Sequence, residues 1–116
     1  MFLSSFFYER TVLSHLERIQ CLPENVQAEI ASRLRTYIKL ARVASTEAVL
    51  TRIASTAVEE KTKAIKDGVI STMDPRWAAP ALAEAWCQAT IGLANSKRSR
   101  ASAMAIIGAI EAFASE

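Results

Sequence analysis

The chain has 116 residues, of which 51% are hydrophobic and 22% are charged, and this balance excludes an intrinsically disordered protein. The length predicts one helical domain spanning residues 1–116, because two halves would each be too small to bury a good core. With 14 basic and 12 acidic side chains, the net charge of +2 is too small to drive strong non-specific binding to nucleic acid or to an anionic membrane.

The first two predicted helices are indicated by apolar residues at helical spacing. One runs from near Ser5 to near Gln20. The next begins after Pro23, a residue that suits the first turn of a helix, and its apolar stripe continues to Ala41. On its polar side, Glu29 is spaced to form an ion pair with Arg33.

A third apolar stripe, from Leu50 to Ile65, lies on nearly the opposite side of a rod extended from the second helix. Either the chain breaks near Ser45-Thr46, with Ser45 as the cap, or one long rod presents two apolar faces. The change of face favours the break. Asp67-Gly68 is a typical helix end.

The fourth and fifth helices are predicted at about 80–94 and 101–113. Asp74-Pro75 is a strong start for a helix, but Pro80 predicts either a short turn at 75–78 before the helix or a kink within it. The fourth helix is apolar nearly all round, which is typical of a helix buried on most sides. Small residues predict close packing of these two helices, within one chain or across a dimer. They are Ala85, Ala89 and Gly92 on the fourth helix, and Ala101, Ala105, Gly108 and Ala112 on the fifth.

No period-two pattern typical of strands is present, so the predicted fold class is all-α, a compact bundle of about five helices. No run of about 20 apolar residues predicts a membrane span, and the apolar N-terminus lacks the basic segment of a signal peptide. Cys21 and Cys87 have no Cys-x-x-Cys partner and are interpreted as reduced thiols. These features favour a cytoplasmic protein.

Residues for catalysis or metal binding are too few to form a site. His15 is the single histidine, both cysteines point away from it or lie far along the chain, and three glycines form no phosphate-binding loop. We interpret His15 as a solvated surface histidine. The sequence therefore predicts no enzyme, no cofactor, no metal and no small-molecule substrate.

Large apolar side chains exceed what a five-helix monomer comfortably hides, which predicts contact with a protein partner or with a second copy of the chain. The candidate partner-binding residues are Phe2, Phe6, Phe7, Trp77, Trp86 and Ile91. The predicted function is that of a non-enzymatic interaction protein, such as an adaptor, an inhibitor or an assembly subunit, that forms a homodimer. Tryptophans lining a polar cleft beside His15 would contradict this interpretation.

The alternative is a helical subunit that binds the backbone of a nucleic acid. Two basic groups favour it, one before the last helix and one on the second helix: Lys97, Arg98 and Arg100, and Arg35, Lys39 and Arg42. Aromatic residues that would stack on bases are not interleaved with either group.

Overall fold

The computed structural model describes residues 5–43, 46–69, 71, 73–95 and 100–115, and their side chains apart from those of 5–8, 94 and 95. Within these ranges the chain forms five helices and no strand, so the all-α prediction is confirmed. The helices are α1 (Ser5–Ile19), α2 (Glu24–Arg42), α3 (Glu47–Lys66), α4 (Pro75–Asn95) and α5 (Arg100–Ala114).

The helix boundaries follow local capping chemistry. α3 starts at a break from α2, as predicted, but its cap is Thr46, whose side-chain oxygen accepts a hydrogen bond from the Val49 backbone N–H at 3.3 Å. Ser45, the predicted cap, lies outside the described residues. Asp74 caps α4 by accepting a hydrogen bond from the Arg76 N–H at 2.8 Å, because its short carboxylate reaches the free donors of the first turn.

The predicted start of the fourth helix near residue 80, after a short turn at 75–78, is wrong. α4 begins at Pro75 and continues through Pro80, as in the alternative that placed Pro80 within the helix. A proline at this position removes one backbone donor, the partner of the Arg76 carbonyl in a regular helix. Arg76 is exposed, so water can reach that end of the helix. The Asp74 cap and the burial of Ala78 and Ala79 then hold the first turns in place.

α4 lies at the centre of the bundle and contacts α2, α3 and α5. Most of its residues from Ala78 to Ala89 are buried, which agrees with the nearly uniform apolar character of its sequence. The fully buried side chains that surround it come from three other helices: Ile19, Ile30, Leu34 and Ile110. A single helix is therefore covered on most sides by the chain's own core.

α5 packs on α4 and α1, but not through the face that the sequence predicted. Its large residues Ile106, Ile110 and Phe113 are buried. On α5 the small residues expected at the contact are exposed instead, namely Ala101, Ala105, Gly108 and Ala112, whereas Ala85 and Ala89 of α4 are buried as expected. The large side chains bury more apolar area than alanine or glycine does, so they take the inner face and leave the small ones outside.

The backbone of α1 lies close to that of α5 and further from those of α3 and α4. Ser102 of α5 donates a hydrogen bond to Glu9 of α1 at 2.5 Å, which joins these two helices. The buried residues of α1 are Val12, Leu16 and Ile19. Among the helices described, none is both long enough and apolar enough to cross a membrane.

Candidate functional site

The aromatic and aliphatic residues predicted to bind a partner occupy different environments. Trp86 is 5% exposed, and its indole N–H donates a hydrogen bond to Glu111 at 3.1 Å, so it is a core residue with its polar atom paired. Ile91 is half-buried against the same core, and Trp77 is half-buried. Phe2 lies outside the described residues, as do the side chains of Phe6 and Phe7.

The basic group predicted on the second helix does form one surface. Arg35, Lys39 and Arg42 line a groove between the C-terminal half of α2 and the end of α5, with a volume of about 370 Å³. Its apolar lining includes Ile38 of α2, Val43 directly after α2, and Ala114 of α5. We call this the α2–α5 groove.

Two of the three cations in the α2–α5 groove already hold the helices together. Arg35 donates to the backbone carbonyl of Ala114 at 2.6 Å, where the last carbonyls of α5 lack helical donors. Arg42 forms an ion pair with Glu111 at 3.0 Å. Lys39 has no ion pair or hydrogen bond within the described part of the chain. Among the described residues that line it, the groove thus carries three cations and one carboxylate.

One residue of the second predicted basic group can be placed in the structure. Lys97 and Arg98 lie outside the described residues, and Arg100 is the exposed first residue of α5. Arg35 contacts the opposite end of that helix, and a helix of 15 residues separates its ends by roughly 20 Å. Arg100 therefore does not extend the basic surface formed by Arg35, Lys39 and Arg42.

His15 is not a solvated surface residue, so that prediction is wrong. It is half-buried, and its Nε2 atom is enclosed without a hydrogen-bond partner among the described residues. Burial, followed by repulsion from the nearby Arg18 guanidinium, lowers the pKa of His15 below its usual value. Its helix stands away from α4, which leaves a space beside the imidazole.

That space is a cleft of about 390 Å³ between α1, α3 and α4, and we call it the His15 cleft. Trp77 lines it together with charged residues from two helices, Lys61 and Glu84, whereas Trp86 does not. Tryptophans lining a polar cleft beside His15 would contradict a function based on contact alone. Trp77 shows this arrangement and Trp86 does not. His15 Nε2 bonds to no described hydroxyl or thiol, so this atom forms no nucleophile–base pair within the described residues.

Comparisons with protein-family models, with curated proteins and with solved structures found no match. Among the described residues, no three histidine, cysteine or acidic side chains are grouped closely enough to hold a metal ion. The α2–α5 groove and the His15 cleft are therefore the two candidate functional sites.

Sequence reasoning missed Glu111, which accepts from Trp86 of α4 and pairs with Arg42 of α2. The sequence signal for Glu111 is that it is the single acidic residue of α5, a mostly apolar helix. A carboxylate that is partly buried on such a helix needs a partner. The members of the His15 cleft gave no such indication, since they lie on three helices far apart in the chain.

Proposed function

We propose that the protein is a small, non-enzymatic interaction protein that binds an acidic, amphipathic segment of a partner protein in the α2–α5 groove. The observation that carries this proposal is the combination of exposed apolar side chains with unbalanced positive charge. Val43 is 79% exposed at the edge of the groove, and Leu40, one turn away, is 55% exposed. Lone exposed aliphatic residues are ordinary, but a pair beside three cations forms a mixed surface.

The charge of the groove favours a partner with carboxylates. Glu111 faces Arg42, and the Ala114 carbonyl accepts from Arg35, which leaves the Lys39 ammonium to attract a negative group. Apolar side chains of the same segment would cover the exposed Val43 and Leu40, and the burial of these two side chains supplies most of the binding free energy. Charge complementarity then raises the association rate and sets the orientation of the segment.

Nucleic acid is the alternative occupant, and the groove suits it less. Binding to a phosphate backbone depends on several cations that release counterions together, but Arg35 and Arg42 are engaged within the protein. No aromatic residue lines the groove to stack on a base. The apolar lining also has no counterpart on a phosphate backbone.

Affinity capture with matched variants tests the proposal. The groove variant carries Lys39→Glu and Val43→Asp, and the control carries Lys63→Glu and Val58→Asp on the exposed surface of α3. Each protein is used as bait in a nuclease-treated extract of its native host, after circular dichroism has shown the same helix content and unfolding temperature. We expect a partner that is retained by the wild type and the control, and held at least about tenfold more weakly by the groove variant.

The captured partner identifies the occupant. A synthetic peptide from its binding region should be acidic and apolar, and should bind the purified wild type but not the groove variant. Equal capture by all three baits contradicts the proposal. A groove-dependent species that disappears on nuclease treatment, and whose binding falls steeply with salt, supports the nucleic-acid alternative instead.

Two further features belong to the proposal. The homodimer predicted from the sequence is supported by the large aliphatic side chains that remain exposed, among them Leu40, Val43 and Met104. A cytoplasmic location is supported by the two cysteines, which are free thiols, one exposed and one buried.

A further inference from the structure

The His15 cleft exists because α1 and α4 are not in close contact along its length. α1 packs on α5, while α3 packs closely on α4, so the space between α1 and the α3–α4 pair stays open. Its volume of about 390 Å³ lies at the small end of the range found for ligand-binding sites, which starts at about 300 Å³. Leu82 and Val12 supply apolar walls.

The polar groups of the cleft are incompletely paired. His15 Nε2 is enclosed and lacks a hydrogen-bond partner within the described residues, an arrangement that native proteins seldom leave uncompensated. Arg18 lines the same cleft, is exposed, and has no ion pair or side-chain hydrogen bond to any described residue. The exposed Arg18 cation thus lines the cleft and the enclosed His15 Nε2 adjoins it, neither with a side-chain partner among the described residues.

The opposite side of the cleft combines an aromatic ring with an ion pair. The Lys61 ammonium lies 5.7 Å from the centroid of the Trp77 ring, within the range of a cation–π contact. Lys61 also pairs with Glu84, although the separation of 3.7 Å makes this a loose ion pair. Counting these groups with Arg18, the cleft holds two cations and one carboxylate, while the indole offers a flat surface.

We propose that the His15 cleft binds a small aromatic carboxylate, with its ring against Trp77 and Leu82 and its carboxylate toward Arg18 and His15. This site goes beyond the proposed interaction function and shares no residue with the α2–α5 groove. It is a binding site rather than a catalytic one. The sequence predicted no small-molecule substrate because it lacks catalytic, metal-binding and phosphate-binding motifs, and the residues of this cleft are not adjacent in the chain.

The occupant follows from the chemistry of the cleft. A flat apolar body matches the indole face and the aliphatic wall, and stacking of this kind adds to the free energy of burial. A carboxylate supplies the partner that the Arg18 guanidinium lacks, in a geometry that arginine binds with two hydrogen bonds. A cationic ligand would add to two cations already present, and a purely apolar one would leave His15 Nε2 unpaired.

Calorimetric titration of the full chain with three naphthalene compounds tests the proposal. The probes are 1-naphthoate, 1-naphthalenemethanol and 1-naphthylmethylammonium, which share one ring system and differ in charge. We expect saturable binding of 1-naphthoate at micromolar to millimolar concentration, at least about fivefold tighter than the alcohol and tighter still than the ammonium compound.

Three variants localise the binding. Arg18→Gln removes the unpaired cation from an exposed position and should weaken 1-naphthoate about three- to tenfold without changing the affinity for the alcohol. Ala81→Phe fills the cleft from α4 and should abolish binding of both. Arg52→Gln on the exposed surface of α3 is the matched control and should bind like the wild type.

The outcomes separate clearly. Selective binding that depends on Arg18 but not on Arg52 supports the site. Absence of saturable binding up to several millimolar, equal affinity for the three probes, or binding that survives both cleft variants overturns it. Because Arg18 is exposed, its substitution leaves the core intact, so the test does not depend on the folding of the Ala81 variant.

Discussion

At the scale of single residues, His15 makes the stability of the protein depend on pH. The charged groups that line the cleft around it are Arg18 on α1, Lys61 on α3 and Glu84 on α4. Burial and Arg18 lower the pKa of His15 in the folded state, so the unfolded chain binds a proton more readily. The free energy of unfolding is therefore expected to fall as the pH decreases from 7.5 through the usual histidine pKa.

Urea denaturation of the wild type and of His15→Gln at pH 7.5 and 5.5 measures this contribution. The wild type should lose more stability than the variant over this interval, since glutamine does not titrate. Asp74, whose pKa is lowered by its hydrogen bond with Arg76, loses its contribution only at lower pH and is common to both proteins. An equal decrease in the two proteins would show that another group carries the effect.

At the scale of helices, the end of α3 depends on a glycine. Gly68 has a φ of +89°, and the backbone bonds Val69 N–H to Ala64 O and Gly68 N–H to Ile65 O form a Schellman motif. A side chain at this φ is strained even though no atom lies within 4 Å of the added Cβ. Gly68→Ala is expected to lower the free energy of unfolding by about 1 kcal/mol.

Gly108 provides the opposite control within α5. A Cβ built there also meets no atom within 4 Å, but the residue lies inside a helix, so Gly108→Ala should raise stability by roughly 0.5–1 kcal/mol. Thermal and urea unfolding of both variants compare the two effects. If both alanine variants changed stability in the same direction, backbone conformation would not be the cause.

The helix ends were also the features that the sequence predicted well. The Asp67-Gly68 end, the Asp74 cap and the Glu29–Arg33 ion pair, observed at 3.2 Å, all depend on residues within one or two turns. The face of α5 was not predictable in the same way. Its small and large residues both repeat at helical spacing, and only the neighbouring helices decide which set is buried.

At the scale of the whole molecule, the burial of α4 was predictable and the cleft was not. A helix without charged residues on most of its surface must be covered, and α2, α3 and α5 cover it. The His15 cleft instead depends on the distance between α1 and the α3–α4 pair, which brings His15, Lys61 and Trp77 around one space. No local pattern encodes such a distance, because it results from how several packed helices share the core.

Because Trp86 is buried and Ile91 is half-buried, fewer of the predicted contact residues are available to a second copy of the chain. The apolar area of Trp86 and Ile91 contributes to the chain's own core, so the N-terminal phenylalanines and the half-buried Trp77 remain of the predicted contact residues, beside the exposed Leu40, Val43 and Met104. We expect size-exclusion chromatography with light scattering, at high micromolar concentration, to give twice the chain mass of 12.7 kDa. Replacing Phe2, Phe6 and Phe7 with serine should give a monomer, because polar residues remove the apolar contact. A monomeric wild type contradicts self-association, whereas a dimer that survives the triple substitution assigns it to another surface.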